Sequence, residues 1–212
     1  MKRNMSILLV LLIVLAAFTG CKKEPSKPTR GTWNEDETMY TNEFAELSIN
    51  MPDGWVAASD EEIAATMNMT SDLLDLPGDA FSEKVLEMQV IMDAILQDPT
   101  NGSNLVLNFE NLAIAPGGTK IEAEEYLETS KESIEQQMSG QLGVPYEFGD
   151  VSTMDIGGNT YSYVDASIEI QGLSMSQRIC VRKQGNYMVL VNFTAVGEDL
   201  DGLVSKLITT AA

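Results

Sequence analysis

TYSYVDASIEI (residues 160–170), then Gln171-Gly172, then LSMSQRICVRK (173–183), then Gln184-Gly185-Asn186, then YMVLVNFTA (187–195), is the stretch that decides the fold. Each long segment is rich in Val, Ile, Tyr, Phe and Thr, the residues that suit a pleated surface. The connectors are two and three residues long, too short for a crossover, so neighbouring segments must run antiparallel. Just upstream, Tyr146 to Ile156 reads as extended, and Gly157-Gly158-Asn159 supplies hairpin chemistry. Just downstream, Glu198 to Ala211 reads as an amphipathic helix with Leu200, Leu203, Val204, Leu207 and Ile208 on its apolar side.

Towards the N-terminus the period changes. Leu47, Ile49 and Met51 alternate along a strand that ends at the turn Pro52-Asp53-Gly54, followed by Trp55, which is expected in the core. Ser59 and Glu62 have capping-box spacing, and Ile63, Met67, Thr70 and Leu74 follow on one helical face. Phe81, Val85, Met88, Met92 and Ile95 are spaced four, three, four and three, which predicts a second helix. Asn104 to Ile114 reads as a strand apolar on both faces. Thr119 and Glu122 predict another capping box, opening a long helix with Tyr126, Leu127, Ile134 and Met138 on its buried side. Consecutive hairpins plus helices give an α+β fold, a mainly antiparallel sheet sandwiched by helices.

The first twenty residues are not part of that fold. Lys2 and Arg3 precede an apolar run from Ile7 to Phe18, too short to span a bilayer and typical of a secretory signal peptide. Leu15-Ala16-Ala17-Phe18-Thr19-Gly20-Cys21 resembles the lipobox of bacterial lipoproteins, with Phe18 where leucine is usual. That resemblance implies cleavage before Cys21 and acyl chains, palmitate among them, on Cys21, which would hold the protein at the outer face of the cell membrane. Residues 21–40, with Lys22, Lys23, Pro25, Lys27 and Pro28, read as a polar tether, and 41–212 as one globular domain.

A second resemblance spans roughly residues 33–210. Trp33, Tyr40 to Phe44, Ile49 to Trp55, Ser59 to Glu62 and Ile156 to Tyr161 resemble small lipoproteins common in clostridia. The order of elements is similar to the PsbP-like fold, named for an extrinsic photosystem subunit. The resemblance implies the architecture and no particular chemistry, because fold does not imply function.

Charge and residue usage exclude several functions. The 212 residues carry 13 basic and 32 acidic side chains, net −19; without Lys2 and Arg3 the balance is 11 against 32, or −21. Such a surface repels phosphate backbones, so nucleic acid is not a partner. There is no histidine, which removes Ser-His-Asp and Cys-His catalysis and the commonest zinc ligand. No Ser-x-x-Lys spacing occurs, and Pro116-Gly117-Gly118-Thr119-Lys120 has P-loop residue types in the wrong order.

The acidic clusters Asp60-Glu61-Glu62, Glu122 with Glu124-Glu125, and Glu198-Asp199 with Asp201 fall in first turns of predicted helices, where the helix dipole favours them. Asp199-Leu200-Asp201-Gly202 lacks the remaining EF-hand positions. No catalytic, metal or cofactor residue is therefore assigned. Cys180, between Ile179 and Val181 and flanked on its face by Arg178 and Arg182, reads as a buried thiol without a partner. Met67, Met69, Met88 and Met92 read as core. Trp33, Tyr40, Tyr161 and Tyr163 are the candidate interaction surface if exposed, and core if covered.

These readings make the chain a non-enzymatic interaction or accessory module of the cell envelope, with the membrane, an envelope protein or a wall component as partner. The alternatives are a small-ligand or cation-binding lipoprotein and a wall hydrolase, the last requiring two carboxylates in a cleft about 5–10 Å apart.

Overall fold

The computed structural model describes residues 27–67, 88–142, 146–170 and 172–208. The three long segments pair as their connectors require. Strand β9 (Asn159–Ile170) runs antiparallel to β10 (Leu173–Gln184), and β10 to β11 (Tyr187–Val196). Gly172 turns the first connector at φ 82° and Gly185 the second at φ 60°, in the left-handed region that glycine enters without steric cost.

β11 pairs on its other edge with β6 (Asn104–Asn111), β6 with β5 (Val90–Gln97), and β5 with the short β4 (Val56–Ala57). At the far edge, β9 pairs with β7 (Glu147–Phe148) and β8 (Ser152–Ile156). The result is an antiparallel sheet of eight strands. A separate three-stranded sheet contains β1 (Thr32–Trp33), β2 (Met39–Asn42) and β3 (Leu47–Asn50).

Period-two alternation sorts the side chains of β11. Tyr187, Val189, Val191, Phe193 and Ala195 enter one core, whereas Met188 and Leu190 enter another. The first core is closed by Tyr40, Phe44, Leu47 and Ile49 of the small sheet and its turn, by Ile63 of helix α1 (Asp60–Thr66), and by Leu203, Val204 and Leu207 of helix α3 (Leu200–Leu207). The second is closed by Leu127 of helix α2 (Ala123–Leu142). The architecture is α+β, as expected, but one face of the large sheet is covered by a small sheet as well as by helices. Arg182 helps seat that sheet, its Nη2 donating to the Ala45 carbonyl at 2.7 Å.

Several sequence expectations need correction. Residues 90–97 form strand β5, so the helix expected over 81–95 is absent at Met92 and Ile95; Phe81 and Val85 lie outside the described residues. A β-bulge between Met92 and Ala94 shifts the phase of the strand. Asp93 and Ala94 therefore both point inward, and the spacing from Ile91 to Ala94 imitates a helical step. α1 begins with the expected Ser59–Glu62 capping box but gives way at Met67; Thr70 and Leu74 lie outside the described residues.

Thr119 sits in a 3-10 turn (Gly118–Lys120), and the helical hydrogen bonding of α2 starts from the Glu122 carbonyl, which accepts from the Tyr126 N–H at 2.9 Å. Among the described residues the last helix ends at Leu207, because Ile208 is extended and bridges to Ile49 of the small sheet. The domain also begins earlier than residue 41. Pro28 is already buried, and β1 and β2 are part of the fold.

Candidate functional site

A broad concavity lies where β7, β9 and β10 meet the start of α3. It holds about 530 Å³ and is lined by Glu147, Asp165, Arg178, Glu198, Asp199 and Asp201 among others. Asp165 and Arg178 are direct cross-strand partners on β9 and β10. The Arg178 guanidinium grips Asp165 with both prongs, Nε to Oδ1 and Nη2 to Oδ2, each at 2.7 Å. Its Nη1 donates to Asp201 Oδ1 at 2.7 Å, which ties the first turn of α3 to the sheet. Its carbon lies 4.6 Å from the centre of the Tyr163 ring. Asp165 and Asp201 hold this guanidinium charged, its pKa raised mainly by the Asp165 hydrogen bonds against the opposing effect of burial.

Arg178 is only 8% exposed, whereas the side chains of Asp165 and Asp201 are 43% and 78% exposed. The single cation in this wall is thus committed to the protein, and the face offered to solvent is carboxylate. Asp199 caps α3, accepting from the Gly202 N–H at 2.6 Å. The cluster at residues 198–201 therefore serves the helix terminus and also forms one wall of the groove. The other acidic clusters are accounted for locally. Glu62 completes the α1 cap, Asp60 binds Arg30, and Glu122 binds Lys183.

A second constellation was not legible beforehand. Asp93, placed inward by the β5 bulge, is 1% exposed. Its Oδ2 accepts from the Tyr40 hydroxyl and from Asn42 Nδ2, both at 2.8 Å, and its Oδ1 accepts from the Gly31 N–H at 3.2 Å. Arg30 Nε lies 3.7 Å from Oδ1, while Arg30 Nη2 donates to Asp60 Oδ1 at 2.8 Å. Burial pushes the Asp93 carboxyl up to about 6, with Tyr40, Arg30, Gly31 and Asn42 opposing the shift. Tyr40 is raised in turn by its own burial and by the adjacent carboxylate. The available signal was one aspartate inside an apolar run, Val90-Ile91-Met92-Asp93-Ala94-Ile95-Leu96.

The four aromatic candidates do not form an open recognition patch. Tyr40 and Tyr161 are core residues, and Trp33 and Tyr163 are half-buried against the same core. Trp33 leans on Tyr40 with ring centres 5.1 Å apart. Tyr161 and Tyr163 do share a face, and that face is turned to the first core. Trp55 is buried, with Lys206 Nζ 4.9 Å from the centre of its ring.

Cys180 is fully buried, with Met154 Sδ 3.8 Å away. Burial raises its thiol pKa and outweighs the opposing influence of Arg178, whose charge is already matched by Asp165. Of the methionines, Met67, Met88 and Met92 pack against the first core, whereas Met69 lies outside the described residues. Among the described residues, no three His, Cys, Asp or Glu side chains converge in a way that could hold a metal ion, and no helix is long and apolar enough to cross a membrane. Cys21 lies outside the described residues.

No protein-family model and no curated protein matches the sequence. Solved structures that resemble the fold include two of low sequence identity. The solution structure of cyanobacterial PsbP (CyanoP) from Synechocystis sp. PCC 6803 is 10% identical, with a TM-score of 0.45, over 89% of this chain and 92% of that one. A crystal structure from Bacteroides thetaiotaomicron VPI-5482 is 11% identical, with a TM-score of 0.43, over 82% of this chain. The chain spans about half the length of the Bacteroides protein, 48% of it being covered. The expected PsbP-like order of elements thus has a neighbour of that name, and at these scores neither likeness carries a functional argument.

Proposed function

We propose that this chain is a non-enzymatic interaction module of the cell envelope, held at the outer face of the membrane by lipid on Cys21, and that its acidic groove receives a cationic segment of an envelope protein or wall component. The observation that carries this reading is the groove beside α3. Carboxylates from β7, β9 and α3 line it, and its one guanidinium is already bound by Asp165 and Asp201. Complementary charge steers such a partner and fixes its register more than it adds raw affinity. An anionic membrane surface or a nucleic acid would be repelled by the same groove, so anchoring falls to the lipid.

Binding of a fluorescent hexalysine peptide to the full chain in detergent micelles tests this. Replacing Glu147→Gln, Asp199→Asn and Asp201→Asn together is expected to weaken binding at least about tenfold, with the effect shrinking as salt rises. The control replaces three exposed glutamates of α2, Glu125, Glu132 and Glu135, by Gln. Equal losses in the two triple variants would mean that overall charge, not the groove, holds the peptide. The anchor is tested separately: palmitate should label the wild-type chain and not Cys21→Ser.

A further inference from the structure

The segment that leads into the domain is held differently from the rest of it. Of residues 28–33 only Pro28 is buried, and Trp33 packs half-buried against the first core. Strand β1 is two residues long and pairs only with β2, through Thr32 to Thr41 and Trp33 to Tyr40. Further polar attachments gather on a few groups. Asn42 Nδ2 donates to the Thr29 carbonyl at 2.8 Å, the Gly31 N–H donates to Asp93 at 3.2 Å, and Arg30 reaches Asp60 at 2.8 Å.

The segment also borders a cleft of about 200 Å³, shared by Arg30, Trp33, Tyr40, Ile63, Asp93 and Ile95 among others. Gly31 lies flat on the Tyr40 ring, so close that a Cβ there would stand 2.4 Å from the ring carbon Cζ. A segment built on a two-residue edge strand and held largely by a few polar contacts belongs to the low-stability end of a fold.

We infer that residues 28–33 form a strap that docks over Asp93 and releases as a unit, leaving the rest of the domain folded. When it is docked, six residues separate Cys21 from Pro28; release adds the six residues of the strap itself. Fully extended, the first length spans at most ~20 Å and the second ~40 Å. Release therefore doubles the distance at which an anchored domain can meet its partner. That consequence rests on the Cys21 anchor proposed above; the strap itself does not.

The experiment is hydrogen exchange followed by mass spectrometry on the full chain in detergent micelles, comparing a peptide covering residues 27–38 with one from β11. In the wild type the strap is expected to exchange at least ~100-fold faster than β11, yet more slowly than the same peptide free in solution. Gly31→Ala, which adds a methyl group against Tyr40 and leaves Asp93 intact, is expected to speed strap exchange at least ~10-fold with β11 unchanged. Strap and β11 exchanging together, in either protein, would overturn the inference by making the strap part of the global fold. Exchange at the rate of the free peptide would overturn it by showing that nothing is docked. Loss of palmitate labelling alone would remove the membrane consequence and leave the strap standing.

Discussion

Replacing Asp93 should change how stability depends on pH, by an amount that follows from its burial. Its carboxyl ordinarily titrates at 3.8 and is pushed up to about 6 in the folded protein. A carboxylic acid with a raised folded pKa binds its proton more tightly folded than unfolded. Between pH 3.8 and 6 the folded chain therefore holds a proton that the unfolded chain has lost, so stability falls as pH rises. The contribution is complete below 3.8, is lost on the way up to about 6, and is level above. At 1.36 kcal/mol per unit, the swing is about 3 kcal/mol.

The groups facing the carboxyl are Tyr40 and Asn42 from β2, the Gly31 N–H, and Arg30, itself bound to Asp60 at the head of α1. Asp93→Asn removes the titration and keeps an acceptor for Tyr40. The assay is urea unfolding of the wild-type and Asp93→Asn chains at intervals from pH 4 to 7.5, taking the difference in unfolding free energy at each pH. Exposed carboxylates cancel in that difference. The wild type should lose ~2–3 kcal/mol relative to the variant across the range. A difference constant to within ~0.5 kcal/mol would refute the reasoning, since Asp93 would then titrate alike in both states.

Two further outcomes follow from the cores. Phe109 of β6 is fully buried, its ring edge-on to Phe44 with centres 5.1 Å apart, so Phe109→Ala should cost ~3–5 kcal/mol in urea unfolding. A loss below ~1.5 kcal/mol would mean that the site collapses around the deletion. In a Cys21→Ser chain the remaining thiol, Cys180, should react with a thiol-disulfide reagent at under ~1% of its rate in denaturant, because it is buried and burial raises its pKa. Rapid reaction of the folded chain would show that β10 opens locally.

Local signals were enough where a single element settles the structure. The two short connectors after Ile170 and Lys183 forced three antiparallel strands, and the alternation along 187–195 sorted their faces. Ser59 with Glu62 fixed the start of α1, and the apolar side 203, 204, 207 fixed the buried face of α3. Of the groove's acidic residues, Glu147 and Asp165 carried no signal, and Glu198, Asp199 and Asp201 were visible as a cluster, but only of a helix terminus. Their meeting with Asp165 required β9, β10 and α3 to converge, and the spacing within any one of these segments does not encode that.

The same distinction explains the errors. A bulge is an interruption of period two, and from the sequence alone a phase shift in Ile91 to Leu96 is indistinguishable from a helical step. The Asp93 constellation draws on residues up to 63 positions apart, Arg30 to Asp93, and an Asp in an apolar run announces burial without naming its partners. The sequence by itself determined the α+β class, the antiparallel C-terminal strands and the net charge of −19, because those depend on neighbouring residues and on composition. Only the tertiary structure decided that Tyr40 and Tyr161 are buried and Trp33 and Tyr163 half-buried, that the chain is docked from Pro28 onward, and that a groove beside α3 offers carboxylates to solvent. Those properties depend on which distant surfaces cover one another.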